Sequence, residues 1–231
     1  MENNATPIRC GLHVSISGKI YKAVDRALAS SCDTFQIFTR NPRSWKSRRL
    51  HRDDATEFRR KLQLSGMEPV FAHLPYLANL SSPNKTIHKR SVKALVEELD
   101  RCEALSILYV VAHLGSHLGK GRKLGLERVT EAINTALDSS ESRATILLEN
   151  TAGTINSIGS SFRDLQEIMD RVCKSRVAVC FDTCHAFAYG YDLRDPKSVE
   201  ATVRQLENTL GLNSIALVHA NDSKGGLASR I

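Results

Sequence analysis

The 231 residues predict an α/β chain, a parallel sheet curled into a (β/α)8-type barrel that is incomplete here, with seven strands and six helices. Two observations carry the prediction. Short apolar runs alternate strictly with segments of helical periodicity, the pattern of a parallel sheet covered by helices. The residue closing most runs also carries ligand chemistry: His13, His73, His113, Glu149, Asp182 and His219. From His73 onward these positions are separated by 40, 36, 33 and 37 residues, one β-α unit each. The C-terminal strand ends of a parallel sheet share one face. A barrel brings them to one point, while an open doubly wound sheet spreads them along an edge, so the pattern favours the barrel.

In chain order, a first strand is expected over residues 8–16. Ser17-Gly18 then opens a helix whose Ile20, Val24, Ala27 and Leu28 fall at helical spacing. A second strand covers 34–39 and runs into the basic loop Arg40 to Arg49. Helix 53–65, strand 69–73 and helix 85–105 follow, the last with Val92, Leu95, Val96 and Leu99 on one face. Strand 107–113, helix 124–137 and strand 144–149 continue the alternation. In helix 161–173 the buried stripe is Phe162, Leu165, Ile168, Met169 and Val172. Strand 177–182 ends on Asp182, helix 196–210 starts with a proline in its first turn, and strand 214–219 is the last. No long linker or low-complexity tract divides the chain, so residues 1–231 are expected to form one domain.

The composition is that of a soluble globular protein, 42% hydrophobic and 25% charged. A net charge of +7 suits an anionic partner such as nucleic acid. The six cysteines form no C-x-x-C pair and several lie in apolar runs, which reads as buried thiols of a reducing compartment. Met1 to Arg9 holds no apolar signal-peptide core, and no run approaches the roughly 20 residues of a membrane span. A cytoplasmic protein with no membrane partner is expected.

Strand ends accommodate Asp or Asn easily. Histidine is less usual there, yet four of the eight histidines close strands, in company with Glu149, Asp182 and nearby His185. Imidazole and carboxylate donors without thiolate fit catalytic Zn²⁺, with Mn²⁺ or Fe²⁺ as alternatives. The donors exceed what one tetrahedral ion needs, and a carboxylate such as Glu149 can bridge two ions. Paired ions clamp the attacking and leaving oxygens of a phosphoryl displacement, so with the basic charge the pattern points to phosphodiester hydrolysis.

In these contexts the chain resembles the endonuclease IV family of apurinic/apyrimidinic endonucleases. The matching pieces are Gly11-Leu12-His13-Val14-Ser15, His73-Leu74-Pro75-Tyr76-Leu77-Ala78-Asn79-Leu80 and His113-Leu114-Gly115-Ser116-His117. They continue with Glu149-Asn150-Thr151-Ala152-Gly153, Phe181-Asp182-Thr183-Cys184-His185 and His219-Ala220-Asn221-Asp222-Ser223-Lys224. The resemblance implies a TIM-type barrel, monomeric, that acts in base-excision repair of double-stranded DNA. It implies zinc-dependent cleavage 5′ to an abasic site, leaving a 3′-hydroxyl and a 5′-deoxyribose phosphate. It implies His73 and His113 as ligands of a first zinc, with Glu149 bridging to a second. Asp182 and His219 would hold the second and His185 a third. His13 is expected beside the site rather than as a ligand. Arg43, Tyr76 and Leu77 match the positions that contact DNA and fill the gap left by the flipped nucleotide.

The family pattern runs past Ile231 with further ligands and an eighth strand. A C-terminally truncated form is therefore expected, with the first zinc well furnished, the second partly and the third poorly, and with incision weak or absent. Two other readings are a noncatalytic remnant that binds abasic DNA and a metal-dependent sugar isomerase or epimerase barrel. The basic charge and the Arg43 and Tyr76 loops weigh against the sugar enzyme.

Overall fold

The structure, a computed structural model, describes residues 8–231. Among them, seven strands form one sheet: β1 (Gly11–His13), β2 (Thr34–Ile37), β3 (Val70–His73), β4 (Tyr109–His113), β5 (Thr145–Glu149), β6 (Val177–Asp182) and β7 (Ile215–His219). Every pair is parallel and the spatial order equals the chain order. A doubly wound sheet would reverse its order at a switch point. An unreversed order in which β7 reaches back to β2 through a His219–Gln36 hydrogen bond is that of a curled, incomplete barrel.

The strands are shorter than expected at several ends, most of all β1, where three residues pair rather than nine. Helices α2 (Arg52–Ser65), α3 (Lys85–Leu105), α4 (Arg122–Ser139) and α7 (Pro196–Leu210) lie within two residues of expectation. Helix α1 (Lys22–Ala29) starts later than Ser17-Gly18, α5 (Phe162–Met169) ends short of Cys173 and excludes Val172, and α6 (Thr183–Tyr189) is additional. Helix α6 corrects the expected count of six. Its seven residues are too few to show periodicity, and the Asp182 carboxylate caps it by accepting from the His185 amide. Side chains also start α3 and α7. Asn84 accepts from the Thr86 and Ile87 amides, and Asp195 from those of Lys197 and Ser198 ahead of a helix that begins with Pro196. Gly66, at φ 69°, ends α2 in the left-handed conformation that costs glycine least.

Strand side chains alternate between two layers. One set, including Ala72, Val110, Ala112, Ile146, Leu148 and Val179, meets the helices in the main core. The other set faces the inside of the curl, where Phe71, Val111, Leu147 and Cys180 pack together. His73, Val111, Glu149, Cys180 and His219 thus belong to the inward layer by the same parity. Of the six cysteines, Cys102 and Cys180 are buried, but Cys10 and Cys173 are exposed and Cys32 and Cys184 half-buried, which corrects the expectation of buried thiols at these four. No helix among the described residues is long and apolar enough to cross a membrane.

Candidate metal centre and nucleic-acid interface

Register brings the ligand candidates together. The Cα partner of His113 is Glu149, and that of Asp182 is His219. The second pairing depends on a bulge. Val179 faces Ile215, but Cys180 faces Leu217, so β7 carries one extra residue, Ala216. Without it Asp182 would face Val218, whose side chain has the opposite parity.

Glu149, 2% exposed, is the hub. One carboxylate oxygen lies 3.1 Å from His73 Nε2 and 3.4 Å from His113 Nε2. The other lies 3.2 Å from His219 Nδ1 and 3.5 Å from His185 Nδ1. Asp182, also buried, lies 3.6 Å from both His185 Nδ1 and His219 Nδ1. Two groups have their donor atoms within 4.8 Å of one another: His73, His113 and Glu149, then Glu149, Asp182 and His185. His219 flanks the second group rather than closing it, although it was expected beside Asp182 and does touch both carboxylates.

Further contacts hold the rings. His73 Nδ1, away from Glu149, donates to the Leu74 carbonyl at 2.7 Å, whereas His185 Nδ1, the nitrogen that faces both carboxylates, itself meets the Asn150 carbonyl at 2.9 Å. The Leu74 contact fixes the His73 ring and leaves its Nε2 for a ligand bond. His219 Nε2 meets the Gln36 side-chain oxygen at 2.9 Å, and the Gln36 amide nitrogen meets His13 Nδ1 at 2.9 Å. His13 therefore stands behind the donor set, through Gln36. Asn150 holds Asp182 from both sides, donating to its carbonyl at 3.0 Å and accepting from its amide at 2.6 Å.

The donor chemistry fits a cation. Both nitrogens of His73 face oxygen acceptors, as do both of His219, yet a neutral imidazole has one N–H. One contact on each ring lacks a proton unless the ring is charged or a cation takes that position. The electrostatics agree. Burial opposes charge on His219, but hydrogen bonds with Asp182, Cys180 and Glu149 push it up to about 12. Burial likewise disfavours the Glu149 carboxylate, and the hydrogen bonds from His219 and His73 overcome this and hold it well below the usual range. His113 falls to about 4, because burial and the neighbouring imidazoles outweigh the pull of Glu149. His13 falls to about 4 through desolvation and the charges of His73 and His219.

Aromatic side chains wall one side of the mouth. Phe38, just beyond β2, packs 4.5 Å from His13, 5.2 Å from His73 and 5.0 Å from Tyr76, centroid to centroid. Tyr76 is 57% exposed and Leu77 38%, next to the metal candidates rather than among them. Arg43 is exposed, and its charge is felt at Tyr76, where it works against burial and Glu149 in setting the phenol above its ordinary value. Motif matching missed Gln36, Phe38 and Asn150 as supports. Their signal was position alone: Gln36 shares the inward parity of β2, and Asn150 follows Glu149. His117, part of a matching motif, is in neither donor group and accepts from the Gly121 amide within a turn.

Comparisons with known proteins agree with this geometry. The model of the xylose isomerase-like TIM barrel family matches residues 24–231. A protein of Methanoculleus marisnigri named "Probable endonuclease 4" is 50% identical over 221 residues, 95% of this chain and 78% of that protein. The crystal structure of endonuclease IV from Thermus thermophilus is 36% identical with a TM-score of 0.88, covering 97% of this chain and 80% of that one. A D-tagatose 3-epimerase-like protein, 20% identical with a TM-score of 0.69 over 92% of this chain and 76% of that one, shares the fold alone. With most of its length matched by that family and half its residues identical to those of an endonuclease 4, the chain belongs to the endonuclease IV family of xylose isomerase-like TIM barrels.

Proposed function

We propose that this chain, as one domain, a monomer and a cytoplasmic repair enzyme, hydrolyses the phosphodiester 5′ to an abasic site in double-stranded DNA. The products would be a 3′-hydroxyl and a 5′-deoxyribose phosphate. The observation that carries this reading is the pair of donor groups sharing buried Glu149, at a mouth flanked by exposed Arg43, Tyr76 and Leu77. His73, His113 and Glu149 would hold one zinc. Glu149 and Asp182 would hold a second beside His219, with His185 offering a donor toward a third. Zinc bound there supplies Lewis-acid stabilisation of the charge that develops on the phosphate and its leaving oxygen.

The chain's own residues do the rest. The carbonyls of Leu74 and Asn150 and the amide of Gln36 set the imidazoles, so the donors are arranged before substrate arrives. Tyr76 and Leu77 present an apolar wedge that replaces stacking lost when a nucleotide leaves the duplex. An abasic position has the least stacking to lose, which gives selectivity. Arg43 and the net charge of +7 attract the phosphate backbone.

The test is incision of an end-labelled duplex with one abasic position, with zinc and with chelator. Zinc-restored cleavage on the 5′ side and about two zinc ions per chain, one for each donor group, are expected. Binding of the abasic duplex without incision, unaffected by chelator, would make the chain a noncatalytic reader of damage.

A further inference from the structure

Arg40 belongs by sequence to the basic loop, yet it is 6% exposed and turned inward onto α3. Its Nε lies 3.3 Å from Oε2 of Glu98, which is fully buried, and neither atom has a hydrogen-bond partner among the described residues. The other Glu98 oxygen accepts from the Thr39 hydroxyl at 2.7 Å. Arg101, one turn further along α3, donates to the same hydroxyl at 2.7 Å, to the Thr39 carbonyl at 2.5 Å and to the Arg48 carbonyl at 3.1 Å. One network thus grips Thr39–Arg40 where the loop leaves β2 and Arg48 where it returns. Between the grips Arg43, Trp45 and Lys46 are exposed.

Desolvation offsets much of the Coulombic gain of a buried ion network, so its presence is weak evidence of a contribution to stability. Its donors also go to backbone carbonyls at the two loop ends, which sets the path of the chain and not just one rotamer.

We propose that Glu98 and Arg101 are positioning residues for DNA recognition. They clamp both ends of the 39–48 loop so that Arg43 is held beside the Tyr76 wedge before DNA arrives. This rests on the reading of that loop as a DNA contact. A preformed loop spares the ordering entropy otherwise lost on binding, so loosening it weakens binding more than turnover.

The experiment compares Arg101→Gln, and Glu98→Gln as an isosteric second variant, with the parent chain. Nicking by trypsin after Lys46, Arg48 and Arg49 is followed without DNA, beside zinc content, affinity for an abasic duplex, and KM and kcat for incision. Nicking about tenfold faster, zinc unchanged, and Kd and KM raised about tenfold with kcat within about twofold are expected. Parental nicking rates in both variants would overturn the clamp. Faster nicking with unchanged duplex affinity would overturn the role in DNA recognition and leave the clamp standing. Loss of zinc in step with incision would reduce both residues to supports of the metal centre.

Discussion

His73, His113 and Glu149 end strands that are paired on both sides, whereas Asp182 and His219 end the last pair of the sheet, where β7 has no further neighbour among the described residues. The difference continues outward. Around β4 and β5, Val110, Ala112, Ile146 and Leu148 are completely buried. On β7, Val218 is 51% exposed, and beside it Phe181, Val199, Val203, Leu206 and Ile215 line an open apolar cavity of about 720 Å³. The first donor group is therefore backed by closed packing in addition to the Leu74 carbonyl on His73. The second depends on the register shift at Ala216 and on polar contacts: Gln36 on His219, Asn150 on the Asp182 backbone, and Asn221 donating to the Asp182 carboxylate at 2.6 Å. Packing resists a single substitution by spreading its effect, while a polar support is lost in one step.

The largest expected effect falls on the residue that joins the two sides. Glu149→Gln should empty both groups and lower incision on the order of 10³-fold or more, checked by metal content and single-turnover cleavage. If one zinc stays bound at parental affinity, the two sides do not depend on a shared carboxylate. On the packed side, Leu148→Ala should cost about 3 kcal/mol in chemical denaturation, the usual result of a cavity in a closed core. On the polar side, Gln36→Leu should weaken zinc about 10- to 100-fold at one position only, giving a biphasic chelator titration. A uniform loss at both positions would erase the distinction. The smallest effect belongs to Val218→Ala, within about 1 kcal/mol by the same denaturation. A cost equal to that of Leu148→Ala would mean that the open face is covered in solution.

The sequence made much of this legible because strand and helix periods differ and because His, Glu and Asp stood where apolar runs stopped. Helices α3 and α7 fall on their expected residues, since a cap and a long stripe mark each. β1 was overestimated because its apolar residues continue after its pairing stops. Asp182 also had a simpler reason to close a strand than metal binding, since it caps α6, and seven residues hold too little periodicity to announce that helix. The bulge at Ala216 and the burial of Arg40 were illegible for one reason: each is fixed by a partner strand or helix distant in sequence, and nothing local to either residue differs from an ordinary strand or a solvated charge.

The contact between Gln36 and His219 spans 183 residues, and that between Glu149 and His219 spans 70. Each β-α unit can settle against its sequence neighbour early, but the mouth exists only once β7 has arrived and the curl has brought it within reach of β2. Distant contacts of this kind form late because chain-closure entropy is lost before they can repay it. Partly folded chains, including a nascent one still short of β7, then lack the complete donor set. A cation taken up by that donor set would favour the finished fold over its precursors by mass action, as a ratchet on the final step of folding.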